Sequence, residues 1–114
     1  MQTQTPVDVS HYTYRVTWSV EDSEFVATCL ELPSLSWLAP TQIEALRGLE
    51  AVVNDVLADL TDQGEKVPVP FSERTYSGTF NVRIGEGLHR DLVVHAAEDG
   101  LSLNQYVVKK LASI

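Results

Sequence analysis

The sequence predicts an α+β fold in two parts, and three observations carry that prediction. Residues 12–20 alternate between apolar and polar side chains without a break. Residues 41–63 repeat apolar side chains at helical spacing, between a Thr-x-x-Glu start and a Gly stop. The last third sets a second alternating segment ahead of two short helical patterns. Strands and helices are grouped along the chain, as in a sheet with helices on one side.

The first part opens with Tyr12, Tyr14, Val16, Trp18 and Val20 on one apolar face of a strand. The turn Glu21-Asp22-Ser23 leads to a second strand over 24–31, with Phe25, Ala27 and Cys29 in phase. A short third strand fits within 32–40, between Pro33 and Pro40. Thr41 and Glu44 form a capping box, in which Glu44 bonds back to the Thr41 amide. The helix they start presents Ile43, Leu46, Leu49, Val53, Val56, Leu57 and Leu60 as one stripe. Residues 64–78 hold two prolines and two glycines. They read as a short edge strand or extended segment and then a linker, with the boundary near residue 76.

The second part begins with Phe80, Val82 and Ile84 on one side of a strand and Thr79, Asn81 and Arg83 on the other. A helix over 86–98 turns Leu88, Leu92, Val93, Ala96 and Ala97 inward and stops at Gly100. Ser102 and Gln105 cap a last helix whose stripe is Leu103, Val107 and Leu111. A lone strand ahead of two helices leaves both its edges unpaired, which so small a unit cannot tolerate. Pairing with the same strand of a second copy repairs this and makes a two-stranded antiparallel ribbon. Such a ribbon fits the DNA major groove, where Asn and Arg read adenine and guanine edges. Thr79, Asn81 and Arg83 are therefore candidate base contacts, although polar alternation alone is usually just a solvated strand face. Ser102, Leu103 and Asn104 head a helix, where free amides attract phosphate. The plainer reading of these three is a helix cap.

Charge separates the two parts. Residues 1–78 carry four cations against twelve acids, a net of −8, and residues 79–114 carry four of each. The acidic part repels nucleic acid and favours a basic protein partner. A single cysteine excludes an intrachain disulfide and points to the cytoplasm. The sequence shows neither a signal peptide nor an apolar run long enough for a membrane span.

Catalytic and cofactor motifs are weak. Gly85-Glu86-Gly87-Leu88-His89-Arg90 opens like a dinucleotide fingerprint, but Arg90 holds the third glycine position and a strand-to-helix turn is the better reading. Asp55, Asp59 and Asp62 share a solvent-facing helix stripe. Neither they nor Glu21, Asp22 and Glu24 form a pair poised to share metals, so a solvated face is the default and partner recognition second. His11, His89 and His95 do not have ligand spacing, and His89 reads as a surface or dimer-contact residue. Cys29 reads as a buried core thiol.

The words Tyr14-Arg15-Val16, Glu24-Phe25-Val26-Ala27, Glu31-Leu32-Pro33, Glu44-Ala45-Leu46 and Val67-Pro68-Val69-Pro70 occur in order. They continue as Ser77-Gly78, Val82-Arg83-Ile84, Leu88-His89-Arg90 and Ser102-Leu103-Asn104-Gln105-Tyr106. Over about residues 12–112 this resembles the HicB antitoxins, and its last third resembles the ribbon-helix-helix repressors. One departure is that many HicB proteins have Pro-Gly and Gly-Asp-Thr where this chain has Pro33-Ser34 and Ala39-Pro40-Thr41.

The resemblance implies a truncated ribonuclease-H-like sheet with one helix over residues 1–75 that occludes a small basic HicA-like toxin, a ribonuclease acting on messenger RNA. It also implies a ribbon-helix-helix domain over 76–114 that forms a homodimer, with tetramers open, and represses its own operator. The Ser102 helix start would grip the DNA backbone. Asp55, Asp59 and Asp62 are the candidate toxin contacts. No cofactor, catalytic residue or membrane partner is expected. The alternatives are a stand-alone ribbon-helix-helix repressor with a ligand-sensing first domain, and a metal-dependent nuclease.

Overall fold

Alternation over residues 14–19 becomes β1 (Tyr14–Ser19), which pairs antiparallel with β2 (Glu24–Cys29). The register sets Trp18 opposite Phe25, Val16 opposite Ala27 and Tyr14 opposite Cys29. β3 (Ser36–Ala39) pairs antiparallel with the other edge of β2, giving the order β1-β2-β3. The computed structural model describes residues 7–114, which divide into two compact units with the break between Thr75 and Tyr76.

In the first unit, α1 (Gln42–Asp62) lies across the sheet, mainly over β2 and β3. The Thr41 hydroxyl caps it by accepting the Glu44 N–H at 3.2 Å. Only this half of the expected capping box forms. At the other end Gly64 takes the left-handed φ of +69° and the Glu65 N–H reaches back to the Leu60 carbonyl at 2.8 Å. The core contains Tyr12, Ala27, Cys29, Ala39, Ala45, Leu49, Val53 and Leu57. The expected helix stripe therefore needs one correction: Ile43 is exposed, and small Ala45 is buried in its place. Trp18 and Val20 are likewise not core, because β1 is the edge strand least covered by α1 and Val20 lies in the turn.

Gly48 sits where the Trp37 indole crosses α1. A Cβ there would lie 2.0 Å from Trp37 Nε1, so only glycine admits this approach.

Of the two readings open for residues 64–78, the edge strand does not form and the extended segment does. Pro68 and Pro70 have no amide hydrogen to give to a ladder, and the segment instead makes a 3₁₀ turn at Phe71–Glu73. Side chains fasten it to itself and to His11 and Tyr12, just ahead of β1. The Tyr12 hydroxyl donates to the Pro68 carbonyl at 2.6 Å. His11 bonds Glu73, and the Ser72 hydroxyl donates to the His11 carbonyl at 3.3 Å. Arg74 Nε donates to the Val69 carbonyl at 2.8 Å while its guanidinium lies 4.1 Å above the Phe71 ring.

The central tie is Glu31, which is only 8% exposed. Its carboxylate accepts the Thr13 N–H at 2.9 and 3.1 Å, the Thr13 hydroxyl at 3.0 Å and the Phe71 N–H at 3.0 Å. Burial opposes its ionisation, but the amides of Phe71 and Thr13 outweigh burial and hold the carboxyl below its ordinary value. Burial also raises the neighbouring Cys29 thiol, which is an unreactive core group.

In the second unit, α2 (Glu86–Glu98) and α3 (Leu103–Ala112) pack against each other through Ala96 and Tyr106. Gly100, at φ +69°, turns the chain between them, and the Leu101 N–H donates to the Ala96 carbonyl at 2.9 Å. The His95 ring stacks on Tyr106 with 6.4 Å between centroids. Leu88, Val93, Ala97 and Leu111, all expected inward, are exposed in the single chain.

Two outcomes follow from this packing. Gly48→Ala gains about 1 kcal/mol of helix propensity but overpacks the Trp37 contact at a cost of about 1–3 kcal/mol. Thermal unfolding should show a net loss, with a red-shifted tryptophan emission as the indole is displaced. Glu31→Ala orphans amides on two segments, about 1–3 kcal/mol for each buried donor, and should lower the chemical-denaturation midpoint. Because the Glu31 pKa is depressed, its contribution is present above the ordinary value near 4.5 and disappears as pH falls through the lower folded value. An acid titration followed by circular dichroism should therefore show a later transition for wild type than for Glu31→Ala.

Candidate nucleic-acid interface

Two glycines with left-handed backbone, Gly78 at φ +83° and Gly85 at +82°, bracket residues 79–84. A side chain at either position would be strained. Between them Thr79, Asn81 and Arg83 alternate with Phe80, Val82 and Ile84, and all six side chains are exposed. Phe80 is 73% and Val82 64% exposed, which is unusual for large apolar side chains beside two packed helices. No hydrogen-bonded strand is assigned to this segment within the chain. A single copy offers it no partner strand. At its start the Thr79 N–H donates to Ser77 Oγ at 3.1 Å, and the Ser77 hydroxyl donates to the Thr79 carbonyl at 3.0 Å.

Ser102, Leu103 and Asn104 lie at the head of α3, where both halves of the expected capping box form. The Ser102 N–H donates to Gln105 Oε1 at 2.9 Å and the Gln105 N–H to Ser102 Oγ at 3.1 Å. The amides of Leu103 and Asn104 stand outside that box, at the positive end of the helix. Among the described residues no hydrogen bond or ion pair joins this helix start to Thr79, Asn81 or Arg83.

In the first unit Asp55, Asp59 and Asp62 are all exposed along α1, and none forms an ion pair among the described residues. The same unit has an open cleft of about 700 Å³ between α1 and the 67–73 segment, lined by Leu57, Ala58, Thr61, Val67, Val69 and Pro70. Among the described residues no group of three or more His, Cys, Asp or Glu side chains is placed to hold a metal ion. None of their helices is long and apolar enough to cross a membrane.

Two important residues escaped the sequence reading. Glu31 carries one audible signal, an acid between Leu30 and Leu32 in an otherwise apolar stretch. Tyr106, the most buried side chain of α3, lies three residues from Leu103 and could have been placed on that stripe by spacing.

Residues 63–111 match the model of the HicB family, a stretch running from the end of α1 through α2 and most of α3. No curated protein and no solved structure matches the chain. Over residues 63–111 the chain is HicB-like.

Proposed function

We propose that this chain is an antitoxin with two roles, the neutralisation of a small basic toxin and the repression of its own operon. The family match supports the toxin–antitoxin setting. The observation that carries the second role is the exposed alternating segment 79–84, flanked by left-handed glycines and followed by two helices, the second of them held by a full capping box. Two such segments paired antiparallel satisfy each other's backbone groups and bring Phe80, Val82 and Ile84 onto a shared core. This is a ribbon-helix-helix homodimer. Thr79, Asn81 and Arg83 then form its DNA-facing surface, with the α3 start on phosphate.

The first unit, a three-stranded antiparallel sheet with one helix, is read as a truncated ribonuclease-H-like domain. Its net charge suits occlusion of a basic, messenger-RNA-cleaving partner. Inhibition is steric and electrostatic and needs no cofactor. A second reading, a stand-alone repressor that senses a small ligand, draws on the cleft beside Val67 and Val69. Co-purification with the product of the adjacent gene selects the antitoxin.

The full chain with Val82→Pro loses a ribbon amide. It should sediment as a monomer and fail to retard operator DNA while still neutralising the toxin. A Val82→Pro dimer would place the contact elsewhere. Arg83→Ala should weaken operator binding by about 1–3 kcal/mol, the worth of one bidentate guanine contact. At one fixed salt concentration the loss on unrelated DNA should be much smaller. Ser102→Pro, which removes an amide and the cap, should weaken both DNAs by similar factors because phosphate contacts carry no sequence information. Equal losses for Arg83→Ala on the two DNAs would assign Arg83 to phosphate.

A further inference from the structure

The tip of the β1–β2 hairpin carries a feature that the fold itself does not require. Trp18 is 52% and Val20 82% exposed. Trp18 belongs to the face that turns toward α1, but β1 is a sheet edge and the helix lies mainly over the other two strands. One edge of the indole is held by Phe25, at 5.0 Å between centroids and 71° between planes. The ring is thus oriented in advance, and its ordering entropy is already spent before any partner arrives. At the tip the turn carries Glu21 and Asp22, Glu24 next to Phe25 points to the opposite face of the sheet, and no cation lies between residues 16 and 46. The nearest basic side chain on β1 is Arg15, three register pairs away and on the opposite face of the sheet.

We propose that this hairpin tip is where the first unit docks a basic protein surface, with Trp18 as the buried anchor and Glu21 and Asp22 of the turn as its charged rim. The proposal rests on the antitoxin reading and names the contact that reading leaves open. A half-exposed, oriented tryptophan is the residue type that most often dominates an interface. The rim selects the partner. Two copies meeting here would set acids against acids, and a nucleic acid or an anionic membrane would bring phosphate against them. A Lys- or Arg-rich protein surface alone gains from both the apolar centre and the charge.

The test uses the full-length chain and the short basic product of the adjacent gene, with rates measured by surface plasmon resonance at several salt concentrations. Trp18→Ala should weaken binding about tenfold or more, mainly through faster dissociation. The double variant Glu21→Gln, Asp22→Asn alters no core residue, and an amide oxygen at position 22 can still accept the Ser19 hydroxyl. It should slow association severalfold and flatten its salt dependence. Matching circular dichroism melts separate binding from folding. Wild-type affinity in both hairpin variants overturns the proposal, as does a loss seen only when Asp55, Asp59 and Asp62 are neutralised. A drop in sedimenting mass for Trp18→Ala would make a second copy the occupant and also overturn it. No binding by the wild-type chain overturns the antitoxin reading together with this one.

Discussion

The first unit depends on one buried carboxylate. Glu31 sits just past the end of β2, and its two oxygens collect amides from the residue before β1 and from residue 71, far along the chain. A three-stranded sheet under a single helix has too little area to hold a proline-rich tail by apolar contact alone. Prolines in that tail also forbid ladder pairing. The carboxylate solves the problem because it accepts several hydrogen bonds at once, each strengthened by the charge. Tyr12, His11 and Arg74 then close the same segment at its other points.

The two ionic ties respond to pH in opposite senses. The Glu31 carboxyl is depressed, so its contribution is lost on acidification. His11 is raised, first by its bond to Glu73 and further by Asp8 3.5 Å away. That contribution is present while the imidazole is charged and fades as pH rises through the raised value. His11 is solvent-exposed, so the buried carboxylate is the dominant member.

The second unit has the opposite problem. The two helices bury only Ala96 and Tyr106 between them, and Phe80, Val82, Ile84, Leu88, Val93 and Val94 face water. Units this small usually draw part of their core from a partner. The polar side of the same segment is where DNA readout is proposed, so in the proposed dimer the residues that would complete the core and those that would meet the operator alternate along one segment. A one-residue slip in pairing would exchange the two sets.

Much of this was legible in the residues themselves. The presence of β1 and β2 (each shorter than the 12–20 and 24–31 that alternation suggested), the span of α1, both helices of the second unit, the Gly100 turn and the Ser102 cap are local features, determined by alternation, 3.6-residue spacing and capping chemistry within a few residues. The tertiary structure decided what depends on distant partners. It placed Glu31 under amides eighteen and forty residues away, chose the extended segment over the edge strand after Gly64 and fastened it, and exposed Ile43 and Trp18 by where α1 crosses the sheet. It also gave Gly48 its reason, since a glycine inside a helix looks like a defect until an indole is laid against it. Periodicity specifies which side a residue faces. Whether that side meets protein or water is a property of the assembled layers, and no short window of sequence contains it.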